Sequence, residues 1–423
     1  MVDRLASNSR HYDIVIAGGG LCGASLACAL IKAGKRILVV ESVAFDSDLQ
    51  PTYDERTVAL TYSSRNVFSA LGVWEQIEEG GAQPIHDIHV SNRGGFGQTR
   101  LSCHDAGTES LGYVIPVRNI GRVLLETLDQ SEEIEFLCPA SVVNARVKQA
   151  HCEIEIAHGS ETLRATAELL VVADGGRSRL ADELGYIVNV KAYEQSAVLC
   201  IIKTDQPHQG RAYERFLDDG PLALLPHRMG QGAVRGGADG CHFAMVWTTR
   251  NTEVSQRLNL DDEGFVDLLQ SMFGNRAGSF SEPSPRKSYP LSRIRVDRPA
   301  LKRSVLLGNA AHTVHPVAGQ GFNLGLRDVA CLVHLVSESG LALGSMEMAR
   351  EYVRLRRQDS RAVEGFTHTL IQIFSNSIAP VSWLRNAGLV AIEHFPPAKR
   401  MLIKTTMGLH ASPQKLTSGI PVH

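Results

Sequence analysis

The sequence predicts an α/β fold: a domain on a parallel, Rossmann-like sheet, an inserted sheet that is mostly antiparallel, and a helical C-terminal segment. Three observations support this prediction. A strand, a glycine turn, a helix and a second strand follow one another between residues 12 and 40. Alternating apolar and polar residues occupy much of the middle of the chain, and helical spacing begins near residue 345.

The N-terminal pattern is a βαβ unit. An apolar run rich in branched residues precedes the glycine turn, and Leu21–Ala33 is the predicted helix, ended by Gly34. A βαβ crossover is right-handed and lies on a parallel sheet. The strands predicted for this sheet are Tyr12–Ala17, Arg36–Val40, Leu169–Ala173 and Ser304–Leu307.

A second sheet is predicted from segments that favour β structure and are separated by glycine, proline and aspartate turns. These segments are Ile85–Asn92, Ala197–Lys203, Ala212–Phe216 and His242–Thr249. The predicted domain limits are 1–75, 110–185 and 286–365 for the parallel-sheet domain, 76–109 and 186–285 for the inserted domain, and 366–423 for the C-terminal helical segment.

The last part of the chain has helical spacing. Ser345 is the predicted N-cap of its first helix, with Glu347 in the first turn, where a carboxylate favours the helix dipole. Four arginines at helical spacing are expected to form a solvated face: Arg350, Arg354, Arg357 and Arg361.

Composition excludes several classes of protein. The 423 residues are 43% hydrophobic and 21% charged, which is typical of a folded chain of about two domains rather than a disordered one. A net charge of −2 gives no reason to expect nucleic acid as a partner. The eight cysteines form no CxxC pair, so we expect free, buried thiols in a reducing compartment, and we predict a cytoplasmic protein.

One N-terminal stretch satisfies a simple test for a membrane span. Residues 14–31 carry no charge, but four glycines interrupt the run and no basic segment with a cleavage site frames it. We therefore interpret this stretch as strand, turn and helix.

The glycine turn has the pattern GxGxxG between a strand and a helix. Gly18 permits the sharp turn, Gly20 lets the backbone approach a diphosphate, and Gly23 lets helix and strand pack closely. Glu41 closes the second strand, where its carboxylate can accept hydrogen bonds from ribose hydroxyls and would repel a 2′-phosphate. The unit predicts a dinucleotide site that disfavours NADP, and leaves FAD and NAD open.

A second glycine-rich turn favours FAD. Residues 308–323 lead into a predicted amphipathic helix, and the helix start at Gln320–Phe322 offers free N–H groups to an anion. Reduced flavin carries negative charge, which such a helix start would stabilise by about 1–2 kcal/mol. The apolar face is predicted to hold Phe322, Leu326, Val329, Val333 and Val336.

Two histidines in this turn, His312 and His315, invite a metal interpretation. Their spacing lies in a loop without a third ligand nearby in the sequence, so we predict no metal site. Packing or lining the cofactor is the favoured role for both.

Together these motifs resemble the para-hydroxybenzoate-hydroxylase-like FAD monooxygenases over residues 10–365. The resemblance rests on the glycine turn with Glu41, on Asp174-Gly175 after an apolar strand, and on residues 308–328. It implies a glutathione-reductase-type FAD domain with an inserted substrate-binding domain. Within the family, the chain is most similar to the ubiquinone-biosynthesis hydroxylases that act on octaprenyl methoxyphenols. The segments carrying that finer resemblance are Asp54–Leu60, Gly220–Pro226 and Gly319–Gly325.

The resemblance also implies cofactor contacts. Arg56 and Arg118 should reach FAD, Asp174 should meet FAD and the nicotinamide nucleotide, and Asn309 should touch the ribityl or diphosphate portion. Backbone at Gly321, Phe322 and Asn323 should face the isoalloxazine ring. From the residues alone, the two arginines are equally consistent with surface or ion-pair roles.

The sequence departs from the family pattern at two places. Asn309 stands where most members have Asp, and the methoxyphenol branch shares this Asn. Ser178 and Arg179 are adjacent, whereas the family separates the serine from its arginine, which puts a family role for Arg179 in doubt.

The implied reaction uses NAD(P)H and O₂: the nucleotide reduces FAD, oxygen adds at flavin C4a, and the resulting hydroperoxide hydroxylates a polyprenyl phenol in ubiquinone biosynthesis. The flavin carries this chemistry, so no protein residue is predicted to be catalytic. His227, Tyr213 and Arg215 are candidates for ionising the phenol, although structural roles are favoured. Residues 230–240 are predicted to be a loop, so NAD(P)H has no Rossmann domain of its own.

The C-terminal segment is apolar and mildly basic. Residues 370–384 are uncharged but too short and too broken by Pro380 to span a membrane. Contact with a membrane surface or a biosynthetic partner, and packing against the FAD domain, both remain open. A peripheral position at the inner face of the membrane is the corresponding expectation.

Two other functions fit the same motifs. An FAD dehydrogenase or reductase would share the fold without oxygen chemistry, and a carrier would keep the fold without flavin. The intact glycine turn, Glu41 and the second turn argue against the carrier. A halogenase is disfavoured because the three tryptophans form no Trp-x-Trp pair.

Overall fold

The structure is a computed structural model that describes residues 10–44, 56–176, 178–228, 240–316, 319–374, 379–409 and 414–422. The predicted loop at 230–240 and the segment Asp54-Glu55 lie almost wholly outside the described residues.

The described strands form three sheets. In chain order they are β1 (Arg10–Ala17), β2 (Ile37–Val40), β3 (Thr57–Thr61), β4 (Gln83–Ile85), β5 (Asp87–Asn92), β6 (Gln98–Ser102), β7 (Gly112–Pro116), β8 (Ile134–Leu137), β9 (Ser141–Val147), β10 (Cys152–His158), β11 (Glu161–Val172), β12 (Val188–Thr204), β13 (Arg211–Leu217), β14 (Gly220–His227), β15 (His242–Arg250), β16 (Phe280–Ser281), β17 (Lys287–Val296), β18 (Ala300–Leu301), β19 (Ser304–Leu306) and β20 (His312–Thr313).

Helices cover the sheets and form the C-terminal segment. In chain order they are α1 (Leu21–Leu30), α2 (Tyr62–Ala70), α3 (Trp74–Glu79), α4 (Cys103–Ala106), α5 (Val117–Asp129), α6 (Arg179–Glu183), α7 (Asn251–Asn259), α8 (Asp262–Phe273), α9 (Gln320–Ser337), α10 (Met346–Phe374), α11 (Ala379–His394) and α12 (Pro396–Thr406), with short 3₁₀ turns at Gly308–Ala310 and Leu416–Ser418.

The first sheet has the order β18-β19-β11-β1-β2-β8, with β10 and β9 added beside β11. Its central pairs, β1 with β2 and with β11, are parallel. Strands β1 and β2 are buried on both faces, which is why they appear in the sequence as continuous apolar runs. One face packs on α1, α5 and α9 in a single core, and the other packs on β10 and α6. The predicted α/β class is confirmed.

The second sheet has the order β20-β17-β12-β15-β14-β13-β5-β6 and is antiparallel except where β13 pairs with β5. One face packs on α8, where Trp247, Phe265 and Phe273 form the core. The third sheet is a small one of β3, β7 and β4.

The structure corrects several predicted limits. Helix α1 ends at Leu30, three residues before Ala33, because Lys32 takes a left-handed φ of 69°. The predicted strand 85–92 is broken at His86, whose N–H donates to Gly210 O at 2.8 Å, so its two parts enter different sheets.

The sheets also cross the predicted domain limits. Strand β17 pairs with β12 from Val296↔Val188 to Lys287↔Leu199, so this part of the 286–365 segment belongs to the antiparallel sheet. Strand β20 joins the same sheet beside β17. The ladder is interrupted by a register shift between Ala192 and Ser196. Pairing of backbone groups with β12 decides which sheet β17 joins, although β17 is close to α9 along the chain.

Helix α9 is buried nearly all round, although an amphipathic helix is predicted. The expected apolar face, including Leu326, Val329 and Val333, lies in the core. The opposite face is buried too, because Arg327 and Asp328 make ion pairs with residues of α10. Sequence periodicity missed this because paired charges resemble a solvated face.

Asp328 is the centre of that buried group of charges. Its carboxylate accepts from Arg356 Nε at 2.6 Å, from His312 Nε2 at 2.6 Å and from the Gly308 N–H at 3.1 Å. Burial disfavours the charge, but the opposing attraction of His312 and Arg356 leaves the pKa of Asp328 below its usual value. The cluster therefore ties the Gly308 turn, α9 and α10 together.

Asp359 completes the cluster. It accepts from Arg356 Nη1 at 2.5 Å and from Arg327 Nη1 at 2.6 Å, so both arginines are engaged away from water. The desolvation cost of burying these charges is offset by their pairing with opposite charges.

The start of α10 is as predicted. Ser345 Oγ accepts from the Met348 N–H at 3.1 Å, which caps the helix. Arg350, Arg354, Arg357 and Arg361 are exposed, which confirms the solvated face. The eight cysteines are free, six of them buried and two half-buried, also as predicted.

The C-terminal helices pack on the second sheet at β6 and on α4. Asn386 Oδ1 accepts from the Gly97 N–H at 2.9 Å, and Glu393 accepts from the Arg100 N–H at 2.7 Å. Ile403 and Met407 of the last helical stretch share a small core with Leu101 and other residues. The final turn of the segment packs elsewhere: Leu416 lies in the core of the parallel-sheet domain, and Thr417 O accepts from Asn66 Nδ2 of α2 at 3.2 Å. The structure thus shows packing within the chain, against both the inserted sheet and the parallel-sheet domain. In the described parts of the chain, every helix is too short or too polar to cross a membrane.

The buried cluster yields a stability prediction. Replacing Arg356 with Met leaves Asp328 and Asp359 with an uncompensated buried charge, which should lower the free energy of unfolding by about 3–5 kcal/mol. Urea denaturation followed by circular dichroism measures this. Arg357→Met, one position away on the exposed face, is the matched control and should change stability by less than about 0.5 kcal/mol. Equal losses in the two variants would contradict the role of the cluster.

Candidate active site

One continuous cavity of about 1420 Å³ lies between the parallel sheet and the inner face of the antiparallel sheet. At one end its wall is the glycine turn after β1 with Glu41 of the β2 end. Its middle is lined by β3 and the start of α9. Its far end is lined by β5, β6, β13, β14, α11 and α12.

The three glycines of the first turn differ in what surrounds them. Gly18 has a φ of 106°, and its N–H donates to Val40 O at 2.8 Å. A Cβ on Gly23 would lie 1.9 Å from Gly18 O, so only glycine allows the helix to approach the strand. A Cβ on Gly20 meets nothing within 4 Å, and Gly20 lines the cavity. Two glycines thus serve packing, and the third opens the backbone to the cavity.

Glu41 is buried and borders the cavity. Its Oε2 accepts from the Gly19 N–H at 2.6 Å and its Oε1 from the Val43 N–H at 2.8 Å. These bonds fix the carboxylate against the turn. Oε1 also accepts from Ser42 Oγ at 3.5 Å, and Oε2 keeps a further lone pair, so the group can still accept a hydroxyl donor from a ligand.

At the second turn, α9 begins at Gly319 with a left-handed φ of 61°. Gly321 lines the cavity, and a Cβ on it would meet nothing within 4 Å. Phe322 also lines the cavity, and its ring lies 6.4 Å from that of Phe68. The free N–H groups of this 18-residue helix therefore face the same cavity as the first turn.

The side chains of Gln320 and Asn323 have structural partners. Asn323 Oδ1 accepts from the Thr61 N–H at 2.8 Å, and its Nδ2 donates to Ala59 O at 2.8 Å. Gln320 is buried and accepts from Arg327 at 3.3 Å. These contacts join the start of α9 to β3, so only the backbone at this point is open to a ligand.

Asp174 and Asn309 line the cavity at the carboxyl ends of neighbouring strands β11 and β19. Asp174 accepts from Ser178 Oγ at 2.8 Å, and desolvation by the surrounding protein raises its pKa. Arg179 lines the cavity as well. The edge of a parallel sheet where these strands end is where ligands of open α/β sheets bind.

The two predicted arginines occupy different places. Arg56 lines the cavity, with its guanidinium 5.0 Å from the centre of the Tyr289 ring. Arg118 is exposed at the start of α5, and its neighbour Val117 lines the cavity. The structure thus brings Arg56 to the site and places Arg118 beside it.

Both histidines of the second turn are buried. His312 bonds Asp328, and His315 lies edge-on to Tyr193 with ring centres 5.1 Å apart. Burial lowers the pKa of His315 to about 4, so it is neutral near pH 7. These contacts assign both rings to packing of the turn.

The far end of the cavity is apolar. Strand alternation turns one face of the second sheet toward it, and the C-terminal helices close the opposite side. Its apolar lining includes Ile88, Val90, Ala212, Phe216, Ala223, Leu225, Val246, Leu389, Ile392 and Leu402.

Glu214 of β13 lines this apolar end, between Ala212 and Phe216 on the same face. Burial raises the pKa of its carboxyl to about 7. Sequence analysis missed Glu214, although an acidic residue at an inward position of a predicted strand was the signal that could have identified it.

The candidates named for phenol ionisation lie elsewhere. Tyr213 donates to Arg276 O at 3.1 Å, and Arg215 donates to Met272 O at 3.2 Å. Both side chains point to the other face of β13 from Glu214, because alternate residues of a strand face opposite ways. His227 is buried at the end of β14, where desolvation lowers its pKa to about 4. Structural roles, the favoured interpretation, agree with these contacts.

The chain is similar to known proteins over nearly its whole length. A family model described as "FAD binding domain" matches residues 11–367. Ubiquinone hydroxylase UbiL of Rhodospirillum rubrum is 34% identical, over 98% of this chain and 95% of its own length. The 3-demethoxyubiquinol 3-hydroxylase of Escherichia coli is 27% identical, over 94% and 98% of the two chains. The crystal structure of p-nitrophenol 4-monooxygenase PnpA from Pseudomonas putida shares the fold, with a TM-score of 0.77 at 17% identity, over 96% and 100% of the chains.

The half-buried, desolvated carboxyl of Glu214 predicts a pH-dependent stability. The pKa of Glu214 is raised on folding, so its protonated form stabilises the fold at low pH and that contribution is lost as pH rises through about 7. Glu214→Gln should therefore melt near the wild-type temperature at about pH 5 and above it at about pH 8. Thermal melts by differential scanning fluorimetry measure the difference. Asp218→Asn removes an exposed carboxylate from the same hairpin and is the control. A difference in Tm that does not grow with pH would contradict the prediction.

Proposed function

The chain belongs to the FAD-binding-domain family, and on that premise we propose that it is an FAD-dependent monooxygenase that hydroxylates a phenol ring. One observation carries the proposal: a single cavity runs from the dinucleotide turn, past the helix start at Gly319, to an apolar end on the second sheet. A flavin held at the first two places would present its ring to a substrate held at the third.

The residues present fit FAD. Gly20 and Gly321 leave open space where any side chain would intrude, at the two helix starts that face the cavity. We assign the diphosphate to the backbone of Gly18, Gly20 and Gly23, and the adenosine ribose to Glu41. We assign the remaining cofactor contacts to Arg56, Arg118, Asp174, Asn309, Gly319, Gln320, Gly321, Phe322 and Asn323.

When bound, FAD supplies the redox chemistry, taking electrons from NAD(P)H and activating O₂ for transfer of one oxygen atom to the ring. The protein's own part is to hold and orient the reactants and to exclude water. Asp174, at a strand end beside the cavity, is the proposed side chain nearest the visiting nucleotide, and Asn309 at the neighbouring strand end is assigned to the ribityl or diphosphate portion of FAD.

The substrate we propose is a prenylated phenol of ubiquinone biosynthesis. Apolar side chains dominate the far end of the cavity, which suits an isoprenoid chain attached to an aromatic ring. Several relatives that match nearly the whole chain are named ubiquinone hydroxylases.

For the cellular location, we propose a cytoplasmic protein held at the inner face of the membrane through its C-terminal segment. Helix α12 buries Ile403 inward and exposes Arg400, Met401 and Lys404 together, with Phe395 exposed just before it. Basic and apolar groups on one exposed face suit an anionic lipid surface. A prenylated substrate would be collected there.

The test of this function uses purified protein with FAD. Oxidation of NADH or NADPH should rise when a short-chain prenylated methoxyphenol is added, and mass spectrometry should show one atom of ¹⁸O from labelled O₂ in the product. Nucleotide oxidation without oxygen in the product would instead select a dehydrogenase or reductase. Protein isolated from native cells without flavin would select a carrier.

The glycine turn gives a second test. Gly20→Val should remove bound FAD, because the side chain would fill the space assigned to the diphosphate, while the fold keeps its stability because nothing in the protein lies within 4 Å. Flavin absorbance after gel filtration and a thermal melt measure the two effects. Gly23→Ala is the contrasting variant, since its Cβ would clash with Gly18 O at 1.9 Å and should lower Tm directly. Full FAD occupancy in Gly20→Val would refute the assignment.

A further inference from the structure

Glu214 is a carboxyl in an apolar wall, and it has no bonding partner among the described residues. Strand β13 pairs with β14 through Glu214↔Ala223 and with β5 through Glu214↔Val90, so the side chain lies in the middle of the sheet face that lines the cavity. No hydrogen bond or ion pair engages its carboxylate among the residues that the structure describes. The side chain is half-buried and faces the cavity. A desolvated carboxyl without a partner costs stability, and such groups concentrate at functional sites.

Among the described residues, the charged groups near Glu214 are paired with other partners or lie on the outward face of the sheet. The charged residues of β5 and β6, Asp87 and Arg100, pair with each other at 2.5 Å, and His89 lies on the outward face with Asp87. Glu393 of α11 is occupied by Thr99 and the Arg100 N–H.

The other charged groups of the cavity wall lie at its nucleotide end. These are Glu41, Arg56, Asp174 and Arg179. Two of the described residues lining the apolar end, Tyr213 and Glu214, are ionisable. The Tyr213 hydroxyl donates to Arg276 O, so among these residues the Glu214 carboxyl is the group left to meet a ligand.

We propose that Glu214 is the general base that accepts the proton of the substrate's phenol hydroxyl during hydroxylation. This inference rests on the proposed function. The phenol O–H bond breaks, its proton moves to a Glu214 carboxylate oxygen, and the electron pair stays on the phenol oxygen. That pair then enriches the ring carbons ortho and para to it, which are the carbons that an electrophilic oxygen attacks.

The pKa values of a phenol and of Glu214 fit a base that takes the proton while the oxygen attacks the ring. A free phenol has a pKa of about 10, and the pKa of Glu214 is raised to about 7. Complete transfer beforehand is therefore unfavourable, but the hydroxyl becomes more acidic as the ring loses electrons to the incoming oxygen. A carboxyl whose pKa lies near the working pH is well matched to this step.

The experiment compares FAD-loaded wild type with Glu214→Gln, Glu214→Asp and the exposed control Asp218→Asn. The hydroxylation rate of Glu214→Gln should fall by about 100-fold or more, with unchanged FAD content, and its pH profile should lose the rise near pH 7. Glu214→Asp should keep that rise at a reduced rate, and Asp218→Asn should behave as wild type.

A binding measurement separates this role from a structural one. The dissociation constants of a fluorinated methoxyphenol and of its methyl ether, measured by ¹⁹F NMR, should differ in wild type, since only the phenol can donate to Glu214. In Glu214→Gln the advantage of the phenol at about pH 8 should be lost, while the ether binds as before.

The inference is overturned if Glu214→Gln hydroxylates at the wild-type rate with the wild-type pH profile. If Glu214→Gln fails to retain FAD, two other results decide. The inference is then overturned if Glu214→Asp hydroxylates with the wild-type rate and pH profile and if wild type binds the phenol and the ether equally. A wild type that forms no hydroxylated product from any phenol refutes the proposed function instead, and the two binding constants still decide whether Glu214 recognises the phenol hydroxyl.

Discussion

The site depends on the hydrogen bonds and ion pairs made by the buried carboxylate of Asp328. It holds the Gly308 turn, His312 and Arg356 at once, and so fixes the end of a sheet strand, the helix that starts at Gly319 and the long helix that follows. Ion pairs this deep are costly unless all partners are present, which makes the arrangement all-or-none. The position of Asn309 and of the second helix start relative to the first glycine turn follows from that constraint.

A second constraint joins this helix to the middle of the cavity. Both the oxygen and the nitrogen of the Asn323 side-chain amide bond to the backbone of β3, and the nitrogen also donates to Gly319 at the start of α9. These bonds set the distance between the backbone at Gly321 and β3. Rigid support of this kind keeps two helix starts aimed into one cavity. The site is therefore preorganised by side chains that do not themselves line it.

The far end of the cavity is built from distant parts of the chain. One face of the antiparallel sheet supplies its floor, and the C-terminal helices, anchored by Asn386 and Glu393 on β6, supply its lid. The result is an apolar compartment with one ionisable side chain free toward its interior among the described lining residues. Low polarity strengthens any hydrogen bond made there, which is the physical reason that a single carboxyl would suffice for the recognition of a hydroxyl that we propose.

Local patterns in the sequence determined the βαβ unit, the glycine turn with Glu41 and the Ser345 cap, because each depends on residues within one turn or one βαβ unit. The resemblance to the family rests on several such short motifs in a fixed order along the chain. Tertiary structure alone decided the rest. Nothing in the sequence pointed to the Asp328–Arg356 pair, Glu214 looked like one polar residue in a strand, and β17 fell within the predicted limits of the other domain. Each depends on which distant segment packs opposite, and periodicity along the chain carries no record of that partner.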